Sequence, residues 1–321
     1  MYPSYLSLKP SEWESKEQLA KELLHSCKLC GHKCKIDREN GKIGICKMGS
    51  EIKLASASVH KGEEPCFSGI SNNYLYEMDF EAIENSGGTG NLFFSSCTAK
   101  CVFCQNYPIS QLKVGNTVTP EQVANYMLEL QEKGVYHIGW VTPTPHIPKL
   151  ITALKLAREG GLHLAIIANT NSYLSMEALH LLDGLIDIYL PDFKYASNSI
   201  ALDLSFLENY RDVTLKSILE MYRQVGRLQL QAGIAYKGVL IRHLVLPNNL
   251  SQTEDVLHII SSTIDKQCAI SLMSQYFPTY KSYDFPLLNR KLTATEYKNA
   301  LDKMEKYLDL WGFKQKCALD L

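Results

Sequence analysis

The stretch Cys97-Thr-Ala-Lys-Cys101-Val-Phe-Cys104 is the part of the sequence from which the fold and the chemistry of the rest are predicted. Its cysteines follow the spacing C-x3-C-x2-C, so the three thiolates lie too close together to join distant parts of a protein. Three thiolates are one too few for a closed tetrahedral zinc site. They suit a cubane iron–sulfur cluster in which three irons carry thiolates and the fourth iron stays open. The stretch therefore predicts a cluster with one free position where a ligand binds.

The residues on either side indicate where this stretch lies in a fold. Residues 90–96 form an apolar run bounded by glycines, which is typical of a strand. The cysteines therefore lie on the loop just beyond the end of a first strand, where ligands bind in α/β folds. Three unrelated buried cysteines, or part of a zinc knuckle, would be the alternative. The agreement between the spacing, the strand and the aromatic Phe103 favours the cluster.

Composition limits the class of protein. The chain has 321 residues, and 33 Lys and Arg against 34 Asp and Glu leave a formal net charge of −1. This balanced net charge gives no overall electrostatic footprint for nucleic acid. The sequence opens without the pattern of a signal peptide, and no apolar run reaches the length of a membrane span. We predict a cytoplasmic protein without nucleic-acid or membrane partners, whose cysteines in short spacings serve as metal ligands and not as disulfides. Three further cysteines, Cys66, Cys268 and Cys317, are expected to be small buried side chains.

A second group of cysteines precedes the first. Cys27, Cys30, Cys34 and Cys46 follow the spacing C-x2-C-x3-C-x11-C. Four thiolates close a tetrahedral zinc site, which would fold a segment too small to have its own core. They also suit an auxiliary iron–sulfur cluster, and the spacing favours zinc over that alternative. The sequence thus predicts three parts: an N-terminal helix and four-cysteine segment over 1–60, a connector over 61–88, and a barrel over 89–321.

From residue 89 onward, segments with strand and helix character alternate. The predicted strands span 90–96, 136–142, 164–169, 185–191, 238–246 and 268–274. Thr119 and Thr293 begin two of the intervening helices as capping boxes. The last helix is predicted to carry one apolar face formed by Tyr297, Leu301, Met304, Leu308 and Trp311. This alternation indicates an α/β fold with a parallel sheet and right-handed crossovers.

Polar residues follow the predicted strands. They are Thr142, Thr144 and His146 after the second strand, Asn169 and Asn171 after the third, Asp192 and Lys194 after the fourth, Arg242 in the fifth, and Gln275 and Tyr276 after the sixth. In a βα barrel, functional side chains gather at these strand ends. The planar fork of Arg242 suits a carboxylate. A ring of salt bridges at the barrel mouth is the structural alternative for Asp192, Lys194 and Arg242.

These features resemble the radical S-adenosylmethionine (SAM) superfamily. Its members carry such a cysteine loop, and the six strands match its open (β/α)6 partial barrel. The resemblance implies that a [4Fe-4S] cluster on Cys97, Cys101 and Cys104 chelates SAM. One electron then cleaves SAM to a 5′-deoxyadenosyl radical, which abstracts a hydrogen atom from the substrate. The resemblance also implies a flavodoxin or a ferredoxin as the electron donor.

The resemblance assigns residues to SAM. Phe103 matches the aromatic that packs on adenine. Many members place Gly-Gly-Glu where this chain has Thr142-Pro-Thr144, so a hydroxyl or a backbone carbonyl would contact the SAM amino group. Glycyl-radical activating enzymes hold SAM and a monovalent cation with similar Asp-Thr-Asn and Asp-x-Lys motifs, although Asn169 replaces an aspartate here. The predicted cofactor-binding residues are Phe103, Asn106, Thr142, Thr144, Asn169, Asn171, Asp192, Lys194 and Arg242.

One branch of the superfamily is similar along essentially the whole chain, the pyruvate formate-lyase activating-enzyme-like branch. The similarity rests on His60-x-Gly-Glu-Glu-Pro, Val141-Thr-Pro-Thr, Leu190-Pro-Asp-Phe-Lys-Tyr, Ile241-Arg-His-Leu-Val-Leu-Pro and Met273-Ser-Gln-Tyr-Phe-Pro. This chain departs from the branch in a longer connector over 70–87, which would line a pocket for a small substrate. The departure implies a queuine lyase that splits a C–N bond to give 7-aminomethyl-7-deazaguanine. An activating enzyme for a glycyl-radical partner and a non-catalytic iron–sulfur protein are the alternatives.

A planar deazapurine substrate requires an aromatic face and a carboxylate for its amidine edge. The connector and the strand ends supply both types of side chain. The predicted substrate contacts are Glu63, Glu64, Tyr74, Tyr76, Glu77, Trp140, His146, Gln275 and Tyr276.

Overall fold

The structure is a computed structural model and describes residues 3–69, 84, 86–307 and 311–314. Its strands are β1 Ile52–His60, β2 Thr89–Phe94, β3 Asn116–Val118, β4 His137–Val141, β5 Ala165–Thr170, β6 Ile188–Pro191, β7 Gln229–Gln231, β8 Ile234–Leu244, β9 Ala269–Met273 and β10 Trp311–Lys314. The predicted substrate contacts Tyr74, Tyr76 and Glu77 lie outside the described residues.

The helices connect these strands and cover the sheet. They are α1 Pro10–His25, α2 Pro65–Ser68, α3 Tyr107–Ser110, α4 Pro120–Glu132, α5 Ile147–Glu159, α6 Met176–Leu182, α7 Asn198–Ser205, α8 Tyr210–Val225, α9 Thr253–Ile259 and α10 Ala294–Glu305. Short turns of other helix types span Ser4–Ser7, Thr144–His146, Pro247–Asn249, Ile260–Ile264 and Ser282–Asp284. No helix in the described ranges is long and apolar enough to cross a membrane.

The strands form one mostly parallel sheet in the order β10-β9-β8-β6-β5-β4-β2-β1-β3, with β7 paired to β8. Neighbouring strands from β10 to β2 run parallel, which requires crossover connections. Every residue of β6 and of β9 is buried, as expected for strands covered on both faces. The prediction of an α/β fold with a mostly parallel sheet is confirmed, and the sheet is consistent with a partial barrel.

The six predicted strands correspond to β2, β4, β5, β6, β8 and β9. The two predicted capping boxes also form. Thr119 accepts the Gln122 N–H at the start of α4, and Thr293 accepts the Glu296 N–H at the start of α10. Each reciprocal bond satisfies a backbone donor that the first helical turn leaves free.

The end of the chain differs from the prediction. Helix α10 ends at Glu305, and Trp311 begins strand β10, which pairs in parallel with β9. The prediction of one helical face reaching Trp311 was therefore wrong, and Leu308 lies outside the described residues. A spacing of three or four positions indicates a helix, but a single apolar residue at the end of such a pattern also fits the first position of a buried strand. Pairing with β9, which no local pattern reveals, decides the outcome.

The N-terminal part contributes directly to the sheet. Strand β1 belongs to the segment predicted over 1–60, and it pairs antiparallel with β2, His60 lying opposite Thr89. Strand β3 pairs antiparallel with the other end of β1, Ile52 lying opposite Val118. Two antiparallel strands thus extend one side of the parallel sheet beyond the strand that leads into the cysteine loop.

The cysteine loop and the connector leave opposite edges of the sheet. The loop follows the end of β2, where the parallel strands also end. Gly69 and Gly87, at the described ends of the connector, both lie against the ring of Tyr136, which directly precedes β4. The connector therefore leaves and re-enters the described fold at the edge where the parallel strands begin.

Candidate active site

The cysteine loop lines a cavity of about 210 Å³ at the ends of the parallel strands, and Cys97, Cys101 and Cys104 all contribute to its wall. Helix α7 holds the loop in place through its last residues. The Lys100 N–H donates to the Ser205 carbonyl at 2.8 Å, and the Val102 N–H donates to the Leu204 carbonyl at 2.9 Å. These bonds fix the loop backbone against a rigid element, so the three thiols face the same space.

Each of the three sulfur atoms has a neutral side-chain partner. Asn171 Nδ2 donates to Cys97 Sγ at 3.5 Å, and Ser205 Oγ donates to Cys101 Sγ at 3.0 Å. Ser110 Oγ lies 3.1 Å from Cys104 Sγ. A neutral donor stabilises a thiolate and adds no charge of its own. The donor set therefore fits a cluster whose irons are bound by three thiolates.

Without metal, Cys97 and Cys104 hold their protons. Burial raises the pKa of Cys97 to about 12, and the neighbouring Cys101 adds to this shift. The pKa of Cys104 is also raised, first by burial and then by Cys101. Iron binding at this loop must therefore release protons and replace them with metal charge.

No three or more His, Cys, Asp or Glu side chains in the described ranges are arranged to hold a single metal ion. A cubane cluster makes a different demand, because each of its cysteines binds a different iron. Three thiols spread along one wall of a cavity meet that demand. The residues present therefore fit a [4Fe-4S] cluster.

Eight of the nine predicted cofactor-binding residues line this cavity. They are Phe103, Asn106, Thr142, Asn169, Asn171, Asp192, Lys194 and Arg242. Thr142 has a left-handed backbone with φ 58°, and its N–H donates to the Asn169 carbonyl at 2.9 Å. This sharp turn after β4 separates Thr142 from Thr144, which is buried and lines a different cavity, beside the four N-terminal cysteines.

Asp192 and Lys194 form an ion pair on the cavity wall, with 2.5 Å between Nζ and Oδ2. Burial alone would lower the pKa of Lys194, but the charge of Asp192 outweighs burial and the pKa lies well above its usual value. Lys194 therefore stays charged, and the pair presents one donor group and one acceptor group to a polar ligand.

Arg242 reaches the same wall from β8, held from behind by two buried carboxylates. Its Nε and Nη2 donate to the two oxygens of Glu64 at 2.7 and 2.6 Å, and Nη2 also pairs with Glu63. Asn91 Nδ2 donates to Glu63 Oε1 at 2.7 Å, and His60 Nδ1 lies 3.5 Å from the same oxygen. Although burial opposes charge, Glu64 and Glu63 raise the pKa of Arg242. The guanidinium is thus fixed in place before any ligand binds.

The predicted substrate contacts fall into two groups. Gln275 lines the cavity, and Tyr276 packs edge-on against Phe103 with the ring centroids 5.9 Å apart. Glu63 and Glu64 instead lie behind Arg242, with their oxygens engaged by it. We predicted that these two carboxylates contact the substrate. In the structure they hold Arg242 instead.

Trp140 and His146 also lie away from the cavity. Trp140 is fully buried within β4. His146 Nε2 lies 2.8 Å from the Ser95 carbonyl, and burial lowers the pKa of His146 to about 4, so its imidazole is neutral. Trp140 lies in the interior because side chains alternate between the two faces of a strand. His146 lies beyond the strand, in the short helical turn Thr144–His146, which is buried.

Sequence reasoning missed the residues that support the cysteines. Ser205 lies at the end of α7, 104 positions from the cysteine that it contacts, and no local pattern connects the two. Ser110 is six positions after Cys104 and could have been found, because α3 turns the chain back towards the sulfur. Leu244 and Met273, at the ends of β8 and β9, add apolar surface to the cavity wall.

The four N-terminal cysteines line a second, smaller cavity with His32 and Thr98. Burial raises the pKa of Cys30 to about 12. Two hydrogen bonds join this part to the cysteine loop. His32 Nε2 lies 2.9 Å from the Thr98 carbonyl, and the Ser96 hydroxyl donates to the Cys46 carbonyl. The two cysteine groups are therefore neighbours in space although 51 positions separate Cys46 from Cys97.

Replacing Ser205 by alanine is expected to weaken retention of the cluster and lower its reduction potential. The change removes the donor to Cys101 Sγ, and loss of such an outer partner costs roughly 10–100-fold in metal affinity. Potentiometric titration followed by electron paramagnetic resonance gives the potential, and iron release to a chelator gives the affinity. Tyr195→Phe is the matched control, because Tyr195 lies 2.7 Å from Ser205 Oγ and its loss leaves the serine donor in place. Equal potentials in the two variants would contradict the assignment.

Comparison with known proteins gives matches along most of the chain. The family model of the radical SAM superfamily matches residues 91–260. The Methanocaldococcus jannaschii protein MJ0674 is 32% identical over 314 residues, which cover 94% of this chain and 81% of that protein. A second protein of the same organism, MJ0808, is 25% identical over 203 residues, which cover 61% of this chain and 55% of that protein.

A solved structure gives a partial likeness. Streptococcus suis SuiB bound to S-adenosylmethionine aligns with a TM-score of 0.49 and 13% identity, over 71% of this chain and 52% of that chain. This chain thus spans about half the length of SuiB. The family match covers more than half of the present chain, and MJ0674 is similar along nearly all of it. The chain belongs to the radical SAM superfamily.

Proposed function

We propose that this radical SAM enzyme acts on a small molecule in the cavity beside the cysteine loop. The observation that carries the proposal is the meeting of three cysteines and eight predicted SAM-binding residues on one cavity wall. When bound, the cluster and SAM supply a 5′-deoxyadenosyl radical that abstracts a hydrogen atom. Family membership supports SAM and a [4Fe-4S] cluster as cofactors.

The chain's own residues would bind and orient SAM. Phe103 offers a ring face for adenine, and its packing against Tyr276 keeps that ring in position. Lys194, charged beside Asp192, offers N–H donors to a carboxylate, and Asp192 offers an acceptor to an amine. Asn169 and Asp192 are also the proposed oxygen ligands of a monovalent cation.

In this proposal, Arg242 binds an anionic group of SAM from a fixed position. Glu63 and Glu64 hold the guanidinium at the cavity wall. A preorganised cation binds an anionic group without the cost of ordering a long side chain at that moment. We propose that Arg242 faces the carboxylate of SAM from this fixed position.

For the substrate, we propose queuine, cleaved at its C–N bond as in queuosine salvage, with the chain assigned to the pyruvate formate-lyase activating-enzyme-like branch. Gln275 and Tyr276 support a planar nitrogen-rich substrate, because an amide presents both donors and acceptors and an aromatic ring presents a stacking face.

We further propose that residues 1–60 bind zinc, or an auxiliary iron–sulfur cluster, through Cys27, Cys30, Cys34 and Cys46. Residues 61–88 would contribute to the substrate pocket, and 89–321 would form the catalytic barrel. The four cysteines line one small cavity, which supports metal binding there, although no three of them are arranged around a single ion in the described structure. The hydrogen bond between the Ser96 hydroxyl and the Cys46 carbonyl supports contact between this segment and the cluster loop.

The test is anaerobic turnover of the reconstituted enzyme with SAM, dithionite and queuine. We expect 5′-deoxyadenosine and 7-aminomethyl-7-deazaguanine to appear together in mass spectra. The variant Gln275→Ala should raise the KM for queuine by about 5–150-fold, which corresponds to one lost hydrogen bond of about 1–3 kcal/mol. Slow 5′-deoxyadenosine formation with queuine untouched would reject the substrate and direct the search to glycyl-radical partner proteins.

A further inference from the structure

Four large apolar side chains are exposed next to the two cysteine groups. The exposed fractions are 62% for Ile43, 39% for Ile45, 61% for Leu112 and 56% for Val114. Lys113 Nζ donates to the Lys47 carbonyl at 3.1 Å and so joins the two stretches. We call this the lysine-apolar surface; its residues are Ile43, Ile45, Lys47, Leu112, Lys113 and Val114. Scattered exposed apolar residues are normal, but a contiguous group among charges marks an interaction site.

The charged residues of this surface, Lys47 and Lys113, are both positive. Residues 40–50 and 86–120 contain no Asp or Glu, although 34 acids are spread through the chain. The same ranges contain Lys42, Lys47, Lys100 and Lys113. Glu39 and Glu51 flank the first range, and Glu121 follows the second. A local excess of lysine on a protein of net charge −1 favours an acidic partner.

A second exposed apolar group serves as a contrast. Leu202 and Phe206, at the end of α7, are 41% and 54% exposed. Residues 195–209 around them contain Asp203 and Glu208 and no Lys or Arg. Apolar exposure is thus similar at the two places, and only the lysine-apolar surface combines it with positive charge.

The lysine-apolar surface is also close to the cysteine loop. Ser95 Oγ donates to the Val114 carbonyl at 2.6 Å, and Lys100 Nζ donates to the Cys97 carbonyl at 3.1 Å. On the other side, the Ser96 hydroxyl donates to the Cys46 carbonyl. Ser95 and Ser96, which hydrogen-bond to Val114 and Cys46, lie between a partner bound at this surface and the start of the cysteine loop.

We propose that the lysine-apolar surface docks an acidic one-electron carrier protein, a flavodoxin or a ferredoxin, that reduces the cluster held by Cys97, Cys101 and Cys104. This proposal rests on the proposed radical chemistry and names its partner surface. In the step, the reduced carrier loses one electron and the cluster gains it, and no bond forms or breaks. Electron-transfer encounters use small, transient interfaces, which matches a surface of six residues.

The test compares Lys47→Glu/Lys113→Glu with Lys298→Glu, which makes the same kind of charge change on the exposed face of α10. Binding of an acidic flavodoxin to the reconstituted protein is measured by calorimetry at low and at high salt. We expect the double variant to weaken binding by at least about tenfold at low salt and to lose most of the salt dependence. Lys298→Glu should bind like the wild type.

A second variant and a second readout separate docking from folding. Leu112→Ser removes apolar contact and no charge, and it should also weaken flavodoxin binding. Both surface variants should raise the KM for flavodoxin in 5′-deoxyadenosine formation and leave the dithionite-driven rate unchanged. An equal loss with both reductants, or unchanged flavodoxin binding, would overturn the surface. If the wild type forms no 5′-deoxyadenosine with dithionite, the proposed function fails, and the binding measurement still decides on the surface.

Discussion

Replacing Cys101 by serine is expected to abolish SAM cleavage and to remove about four iron atoms per chain, since one thiolate ligand of the cubane is lost. Cys101 is the middle residue of the cysteine loop and receives the Ser205 hydrogen bond. A serine hydroxyl is a poor ligand for iron that prefers soft sulfur. Iron analysis, the visible absorption of the reconstituted protein and 5′-deoxyadenosine formation with dithionite measure the loss.

The control for this variant is Cys268→Ala. Cys268 is buried directly before β9 and is not part of either cysteine group, so iron content and SAM cleavage should match those of the wild type. Iron that remains in Cys101→Ser would indicate an auxiliary iron–sulfur cluster at the four N-terminal cysteines. Zinc without iron in this variant would indicate a zinc site there. Full SAM cleavage by Cys101→Ser would refute the assignment of the cysteine loop.

Replacing Arg242 by alanine is expected to lower the free energy of unfolding of the metal-free protein by about 3–5 kcal/mol, the usual cost of leaving buried charge unpaired. Arg242 is the shared partner of Glu63 and Glu64, and both carboxylates are buried. Urea unfolding followed by circular dichroism measures the change. Since the metal-free protein is used, loss of cofactor binding does not contribute to the result.

Arg211→Ala is the matched control, because its pair with Asp212 is about half exposed and should contribute only about 0–1 kcal/mol. Equal unfolding midpoints for the two variants would contradict a buried network at Arg242. The pH dependence gives a further check. Although burial raises the pKa of Glu63, Arg242 and His60 lower it overall. The ion pair of Glu63 with Arg242 therefore stabilises the folded protein fully above the ordinary pKa of Glu. This stabilisation is lost as the pH falls through the lowered pKa of Glu63.

The sequence was informative where local spacing controls structure. Six strands of the parallel sheet could be predicted because each is an apolar run bounded by turn residues. The cysteine loop could be predicted because three cysteines that line one cavity occupy eight consecutive positions. The polar residues that line the cavity follow from the same rule, since parallel strands end at one edge of the sheet.

Contacts between residues far apart in the sequence could not be predicted from local spacing. Glu63 and Glu64 pair with a guanidinium 178–179 positions away, so their sequence context suggested free carboxylates. Ser205 supports Cys101 across 104 positions. Trp311 has helical spacing with the residues before it but pairs with Ala269 in the sheet. In each case the partner is set by tertiary packing, which one chain segment does not encode by itself.

The order of the strands has a consequence for handling the protein. The two outer strands, β3 and β10, have only three and four residues. Long, flat outer strands leave unpaired N–H and carbonyl groups that recruit strands from other molecules and start aggregation. Within the described part of the chain, short outer strands limit this hazard. Concentrated protein should therefore stay dispersed during the lengthy anaerobic loading of iron and sulfide, when transient opening of the sheet would otherwise promote fibrous precipitates.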